Sequence, residues 1–308
     1  MRPADLDLTR AARLATEIAV AAGSTLRDGH RNGLASWTKG DHGDVVTELD
    51  LAAERLIVRR LQAAFPRHRI LAEESGVHSA SGDGDDDQPT WLVDPLDGTN
   101  NVAIGLAAYV VGIALCVRRR PVVSVIHDPV SGLSWSAQSG AGASGPSGRL
   151  APVHRPTPHG PVLAWTQGHQ VSRSDPTALA LKVGLDLHAR RQIQLWAPLL
   201  CWAMLARGDI DGFIGYLPES VDLPGGVLLA AEAGLELRNL DGGPFDDALV
   251  GRPCAGFIAA HPDRIAELVT VVAAARADPF HQLRAVHPEP IRSGHELALN
   301  RSMPVRQP

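Results

Sequence analysis

Two helices, an antiparallel β-meander, and then strands alternating with helices is the order of elements this 308-residue sequence predicts. The fold class is therefore mixed, α+β in the first half and α/β in the second. Three observations predict it. Apolar helical periods mark two segments of the first 65 residues, three β-rich runs joined by short turns lie between residues 107 and 138, and strand-like and helix-like runs alternate beyond residue 160. Hydrophobic residues at 44% and charged residues at 20% are ordinary for a globular protein. The length suffices for one large domain or two halves sharing an interface.

In order along the chain, Leu8, Ala12, Ala15, Ile18, Ala22 and Leu26 recur at helical spacing and mark an amphipathic helix. Thr47 to Phe65 is a second helix, with Leu51, Leu56, Ile57, Val58 and Leu61 on its apolar side and Pro66 after its end. RILAEE reads as a short strand ending in two acids. His78 to Pro89 is polar and acidic, a mobile surface loop; Asp83, Asp85, Asp86 and Asp87 lack the Glu and flanking helices that a calcium loop requires. WLVD comes next, and after it AAYVVGIALCV, PVVSVIHDP and GLSWSAQ read as an antiparallel meander. The Gly/Ser/Pro-rich stretch from Gly140 to Gly148 marks the seam between residues 1–148 and 149–277. Beyond it come strands PVLAWT, QIQLW, DGFIGY and GFIAA. Helices are expected around Pro176 to Val183, around Leu199 to Arg207, from near Asp222, and to about Ala275. The tail, residues 278–308, has no clear period and reads as peripheral or disordered.

A formal net charge of −5 argues against a nucleic-acid-polymer binder, and Arg118-Arg119-Arg120 is read as a solvated hairpin turn. Cys116, Cys201 and Cys254 are odd in number, widely spaced and without a CxxC pair, which suits buried free thiols in a reducing compartment. The N-terminus does not read as a signal peptide. No segment approaches the roughly 20 apolar residues a membrane helix needs, so a cytoplasmic protein without a membrane partner is expected.

The chemistry lies in acids at predicted strand ends and helix starts: Asp44 and Asp50 in GDVVTELD, Glu73 and Glu74 in LAEES, Asp94 and Asp97 in WLVDPLDGTNN, and Asp222 in ESVDLPGG. Singly, Asp50 and Asp222 read as helix caps, Glu74 as a surface acid and Asp94-Pro95 as a turn starter. Gathered together, carboxylates repel unless a cation holds them, and oxygen ligands without a His or Cys pattern select Mg²⁺, Mn²⁺ or Ca²⁺ over zinc. The turn favours the gathered reading. Asp94 leaves a buried strand, Pro95 fixes φ, Gly98 lets backbone approach a ligand, and Thr99 sets a hydroxyl near both acids. Such an arrangement suits a two-metal phosphoryl-transfer site.

AEE, then DPLDGTNN, then a late Asp before a Gly-rich helix start resembles the inositol monophosphatase-like phosphatases, whose signature reads D-P-[IL]-D-G-T-x-N. GDVVTELD, with Lys39 five residues before Asp44, resembles that family's early motif, and the likeness extends from about residue 6 to about residue 276. The resemblance implies a layered αβαβα sandwich of the inositol monophosphatase/fructose-1,6-bisphosphatase type, usually a homodimer. It also implies a Mg²⁺-dependent phosphatase using two or three ions, with Mn²⁺ admissible, acting on a small phosphate monoester. By position, Glu73, Asp94 and the Leu96 carbonyl would hold the first ion; Asp94, Asp97 and Asp222 the second; Glu73 would touch a third. Thr99 with Asp50 would orient and deprotonate the attacking water, while the Gly98 and Thr99 amides would receive phosphate oxygens. Asp97 and Asp222 would border the substrate, and Lys39, Asp44 and Glu74 would support the site from behind. No phosphoenzyme is implied, in contrast to phosphatases with a D-x-D-x-T nucleophile, whose two acids lie closer than Asp94 and Asp97.

Three departures from the family bear on the leaving group. W-D-x-A-A-G becomes Val221-Asp222-Leu223-Pro224-Gly225-Gly226, which retains the acid. A small-residue stretch that contacts substrate becomes Trp196, Ala197, Pro198 and Leu199, with Trp196 either a substrate contact or core. An acid seven residues before Asp222 becomes Gly215, for which Glu219 is the available substitute. The leaving group is thus a cyclitol, a sugar or a nucleoside. A 3′-phosphoadenosine-type nucleotidase, a histidinol phosphatase and a non-catalytic phosphometabolite binder are the alternatives.

Overall fold

The structure is a computed structural model that describes residues 6–30, 36–39, 44–78, 88–152 and 160–277. The chain opens with α1 (Leu8–His30), β1 (Ser36–Lys39), β2 (Asp44–Thr47), α2 (Glu48–Ala64), β3 (Arg69–Ala72) and β4 (Gly76–His78). It continues with β5 (Thr90–Asp97), α3 (Thr99–Ala103), β6 (Val110–Val117), β7 (Arg120–Asp128), β8 (Leu133–Gln138), β9 (Gly142–Gly145) and β10 (Gly148–Arg149). The later elements are β11 (Val162–Gln167), α4 (Pro176–His188), β12 (Arg191–Ile193), α5 (Pro198–Ala206), β13 (Gly212–Tyr216), α6 (Leu223–Glu232), β14 (Glu236–Arg238), β15 (Gly256–Ala260) and α7 (Pro262–Ala277).

Strand periodicity sorts the side chains into layers. On β6, Val111, Ile113, Leu115 and Val117 face α1 and α2, while Val110 faces a second core. On β13 and β15, Phe213 and Phe257 point into that second core, and Ile214 and Ile258 point away from it into a third. The layers therefore run α1/α2, an eight-stranded sheet, α5/α6, a five-stranded sheet, and α4/α7. This is the αβαβα sandwich. Its central layer is filled by Trp202, which stacks on Phe257 at 4.7 Å and meets Phe213 edge-on at 4.9 Å.

The large sheet has the order β10-β9-β8-β7-β6-β5-β3-β4, so the expected meander pairs as antiparallel neighbours. The small sheet has the order β12-β11-β13-β15-β14, in which β12, β11 and β13 are parallel. Several expectations need correction. The stretch from Gly140 to Gly148 is not a bare seam: β9 and β10 extend the large sheet there, and the Glu232 carboxylate at the end of α6 accepts the Gly140 and Gly142 amides at 2.7 Å. Arg118 and Arg119 form a two-residue hairpin turn with φ of 50° and 67°, and the turn is docked as well as solvated. The Arg119 carbonyl accepts the Leu249 amide, and its guanidinium donates to the Val250 carbonyl at 3.0 Å. The QIQLW strand stops at Ile193.

Cys116 and Cys201 are buried free thiols, and Cys254 is half-buried. No described helix is long and apolar enough to cross a membrane. Residues 79–87 of the expected acidic loop and the 278–308 tail lie outside the described residues.

Candidate active site

The site grows from the end of β5. All eight residues of this strand are buried, because helices cover both faces of the sheet. Pairing with β6 shifts register between Asp94 and Asp97, a bulge that interrupts the ladder before it resumes at Asp97, and both carboxylates reach one place. Asp94 Oδ1 accepts the Leu96 amide at 2.9 Å, which closes the turn. Gly98 follows with φ of 113°, and a Cβ there would lie 2.8 Å from the Ala108 carbonyl oxygen, so only glycine fits.

Asp94, Asp97 and Asp222 each bring a carboxylate oxygen to within 4.8 Å of the others. Asp94 and Asp97 are buried and Asp222 is half-buried. Asp222 stands at the N-cap position of α6 but makes no capping bond with its side chain; its carboxylate joins the cluster instead. Glu73, in the turn after β3, approaches Asp94 within hydrogen-bonding reach. Burial, followed by the charges of Glu73, Asp222 and Asp97, pushes the Asp94 carboxyl well above its ordinary range. Burial and then Asp222 also push Asp97 up, opposed by amide donors from α5. Those donors are Leu199 N at 2.7 Å and Leu200 N at 3.3 Å from Asp97 Oδ2, so Asp97 caps the helix with one oxygen. A hard divalent cation fits this all-oxygen set and relieves its mutual repulsion.

Beside the cluster, Thr99 Oγ1 donates to Asp50 Oδ1 at 2.7 Å and also lies 2.9 Å from the Leu96 carbonyl oxygen. Asp50 is the third residue of a capping box on α2. Its Oδ2 accepts both the Thr47 amide and the Thr47 hydroxyl, leaving Oδ1 for Thr99. Asp50 therefore uses one carboxylate oxygen in the cap of α2 and turns the other toward Thr99, so capping does not compete with the expected pairing. Burial raises its pKa, and the Thr47 and Thr99 bonds oppose that shift.

Other sequence-predicted residues separate into groups. Lys39 and Asp44 face one another in register at the ends of β1 and β2, and their side chains lie outside the described residues. Glu74 sits beside Glu73 in the turn. Trp196 is not core: it is 53% exposed, whereas Ala197 and Leu199 are buried and Pro198 opens α5. A side chain at Gly215 would meet the Phe257 ring at 2.2 Å, so no acid fits there. Glu219 does not replace that acid freely; its Oε1 accepts the His169 amide at 2.9 Å.

Sequence reasoning missed Glu54. This buried α2 carboxylate accepts the Glu74 amide at 2.7 Å and the Ser75 amide at 2.9 Å, anchoring the turn that holds Glu73. Its position four residues after Asp50, on the same helix face, was the available signal.

A layered αβαβα fold with carboxylates grouped at the end of a buried strand defines a class of metal-dependent phosphate hydrolases. The profile of the inositol monophosphatase family matches residues 7–275, and the chain belongs to that family. It is accordingly a phosphoric monoester hydrolase. Among similar proteins, a Pasteurella multocida protein named Nus factor SuhB is 32% identical over 236 residues, covering 76% of this chain and 84% of the relative. Inositol monophosphatase 1 of Solanum lycopersicum is 31% identical over 238 residues, covering 76% and 85%. The solved inositol monophosphatase of Anabaena (Nostoc) sp. PCC 7120 superposes with a TM-score of 0.74 at 26% identity, covering 87% of this chain and 97% of that one.

Proposed function

We propose that this chain is a Mg²⁺-dependent phosphatase that hydrolyses a small phosphate monoester with an activated water. The observation behind this reading is the Asp94, Asp97 and Asp222 cluster set beside the Thr99–Asp50 hydrogen bond. Glu73, Asp94, the Leu96 carbonyl, Asp97 and Asp222 are the residues that would hold Mg²⁺, or Mn²⁺ in its place. Bound divalent ions lower the pKa of water and neutralise phosphoryl oxygens.

The chain's own residues do the rest. Thr99 directs its hydroxyl proton to Asp50, which leaves an oxygen lone pair to receive a proton from the attacking water. Asp50 takes the relayed proton, and its raised pKa favours that acceptance. The left-handed turn at Gly98 lets the Gly98 and Thr99 amides approach phosphate oxygens. A cytoplasmic homodimer belongs to the same reading.

The test is phosphate release from a panel of cyclitol, sugar and nucleotide monoesters with Mg²⁺, repeated with Asp94→Asn. At least one ester should turn over, and the variant should lose on the order of 10²–10³-fold in kcat. No turnover of any ester, with metal binding still visible by calorimetry, leaves a binding protein and removes the enzyme reading.

A further inference from the structure

The parallel strands β12, β11 and β13 end side by side, and their following loops gather at one edge of the small sheet. Ligands of open α/β sheets bind outside the carboxyl ends of such strands. The loop after β13 carries Asp222, and the loop after β12 leads to Leu199, whose amide holds Asp97 at 2.7 Å. The acidic cluster is thereby joined to this loop edge by covalent and hydrogen-bonded links.

On the same loops lie two large apolar side chains in solvent, Trp196 at 53% and Leu217 at 44% exposure. The four other tryptophans with described side chains, Trp91, Trp135, Trp165 and Trp202, are at most 1% exposed, so the fold ordinarily buries its indoles. Trp196 makes no ring contact or hydrogen bond among the described residues. It stands three residues before Leu199, within roughly 11 Å along the chain, on a segment braced by buried Ala197 and by Pro198 in the first turn of α5. Leu217 adopts φ of 46°, uncommon outside glycine, and its carbonyl packs where Gly168 has no side chain.

We infer that Trp196 and Leu217 form an apolar platform for the leaving group, and that the preferred substrate is a phosphate monoester whose alcohol carries a planar aromatic group. The indole supplies a stacking face, and its N–H supplies a donor at the rim. Filling of the Gly215 position by Phe257 agrees with this, because it removes the place for a carboxylate that would bind a polyol hydroxyl. The inference rests on the phosphatase reading above and narrows it.

Two matched ester pairs test it: 3-phenylpropyl phosphate against propyl phosphate, and adenosine 5′-monophosphate against ribose 5-phosphate. Each pair differs in the aromatic group and shares a primary leaving alcohol. The wild type should prefer the aromatic member of at least one pair by about fivefold or more in kcat/KM, expressed mainly in KM. The pair that responds distinguishes a simple aryl group from a nucleobase. Trp196→Ala should bring that ratio close to one, and Trp196→Tyr should restore part of it. Equal kcat/KM within both pairs, or a preference that survives Trp196→Ala, overturns the platform while leaving the phosphatase intact. Turnover of no ester overturns the phosphatase reading and this inference with it.

Discussion

Thr99 shows how one hydroxyl acquires a direction. Its single proton has Asp50 Oδ1 at 2.7 Å and the Leu96 carbonyl at 2.9 Å, and the carboxylate is the stronger acceptor. Asp50 cannot turn away, because its other oxygen is held by the Thr47 amide and hydroxyl at the start of α2. The same logic of a residue fixed by its partner governs His68, at the opposite end of the strand pair from the acids. Trp91 Nε1 donates to His68 Nδ1 at 3.1 Å, which requires the neutral ring, and Phe65 stacks on it at 4.9 Å. Burial, aided by the charge of Arg67, brings its pKa down to about 4 from 6.5. The unfolded chain therefore binds a proton first as pH falls, so this contribution is complete above pH 6.5 and lost between 6.5 and about 4. Thermal melting at pH 7.5 and pH 5 should show a smaller acid-induced drop in His68→Gln than in the wild type. Equal drops in the two proteins rule out His68 as a source of the acid sensitivity.

Elements built on a clear period were legible in the sequence, and elements built on tertiary pairing were not. The buried meander and the helices Leu8–His30 and Glu48–Ala64 write their apolar spacing plainly. Gly76–His78 and Glu236–Arg238 are three residues long and exist because a neighbouring strand edge recruits them, so no local pattern announces them. The same division holds in the site. The DPLDGT turn was readable because it breaks packing rules locally, whereas the Asp97 contact to α5 joins residues 102 apart. Glu54 was hidden because a buried acid on an amphipathic helix looks like an ordinary charge until its partners are known. It accepts two backbone amides in the turn that holds Glu73, and supports of this kind tune metal affinity by roughly 10–100-fold. Glu54→Gln keeps one acceptor and places an NH₂ group against the other amide. Calorimetric Mg²⁺ binding should weaken about tenfold or more, and wild-type affinity in this variant would reduce Glu54 to a packing role.

Across the whole molecule, the acidic cluster is the point where the two sheets share one object. Asp94 and Asp97 come from the large sheet, Asp222 opens the helix that follows β13 of the small sheet, and that helix packs in the layer between them. Without a cation, the cluster opposes the fold, because burial and mutual repulsion raise the carboxyl pKa values above those of the unfolded chain. An ion that binds the native state alone reverses this, adding about 2.7 kcal/mol at a concentration 100 times its Kd. For a chain of this size that is a rise of roughly 5 °C in Tm, from about 2 °C per kcal/mol. Asp222→Asn separates the two effects, since it removes one repelling charge and one proposed ligand together. In EDTA it should melt at or above the wild type, while the Mg²⁺-dependent rise expected of the wild type should shrink by more than half. A variant that melts lower in EDTA yet keeps the full Mg²⁺ rise would place the ion elsewhere and leave Asp222 a structural residue of α6.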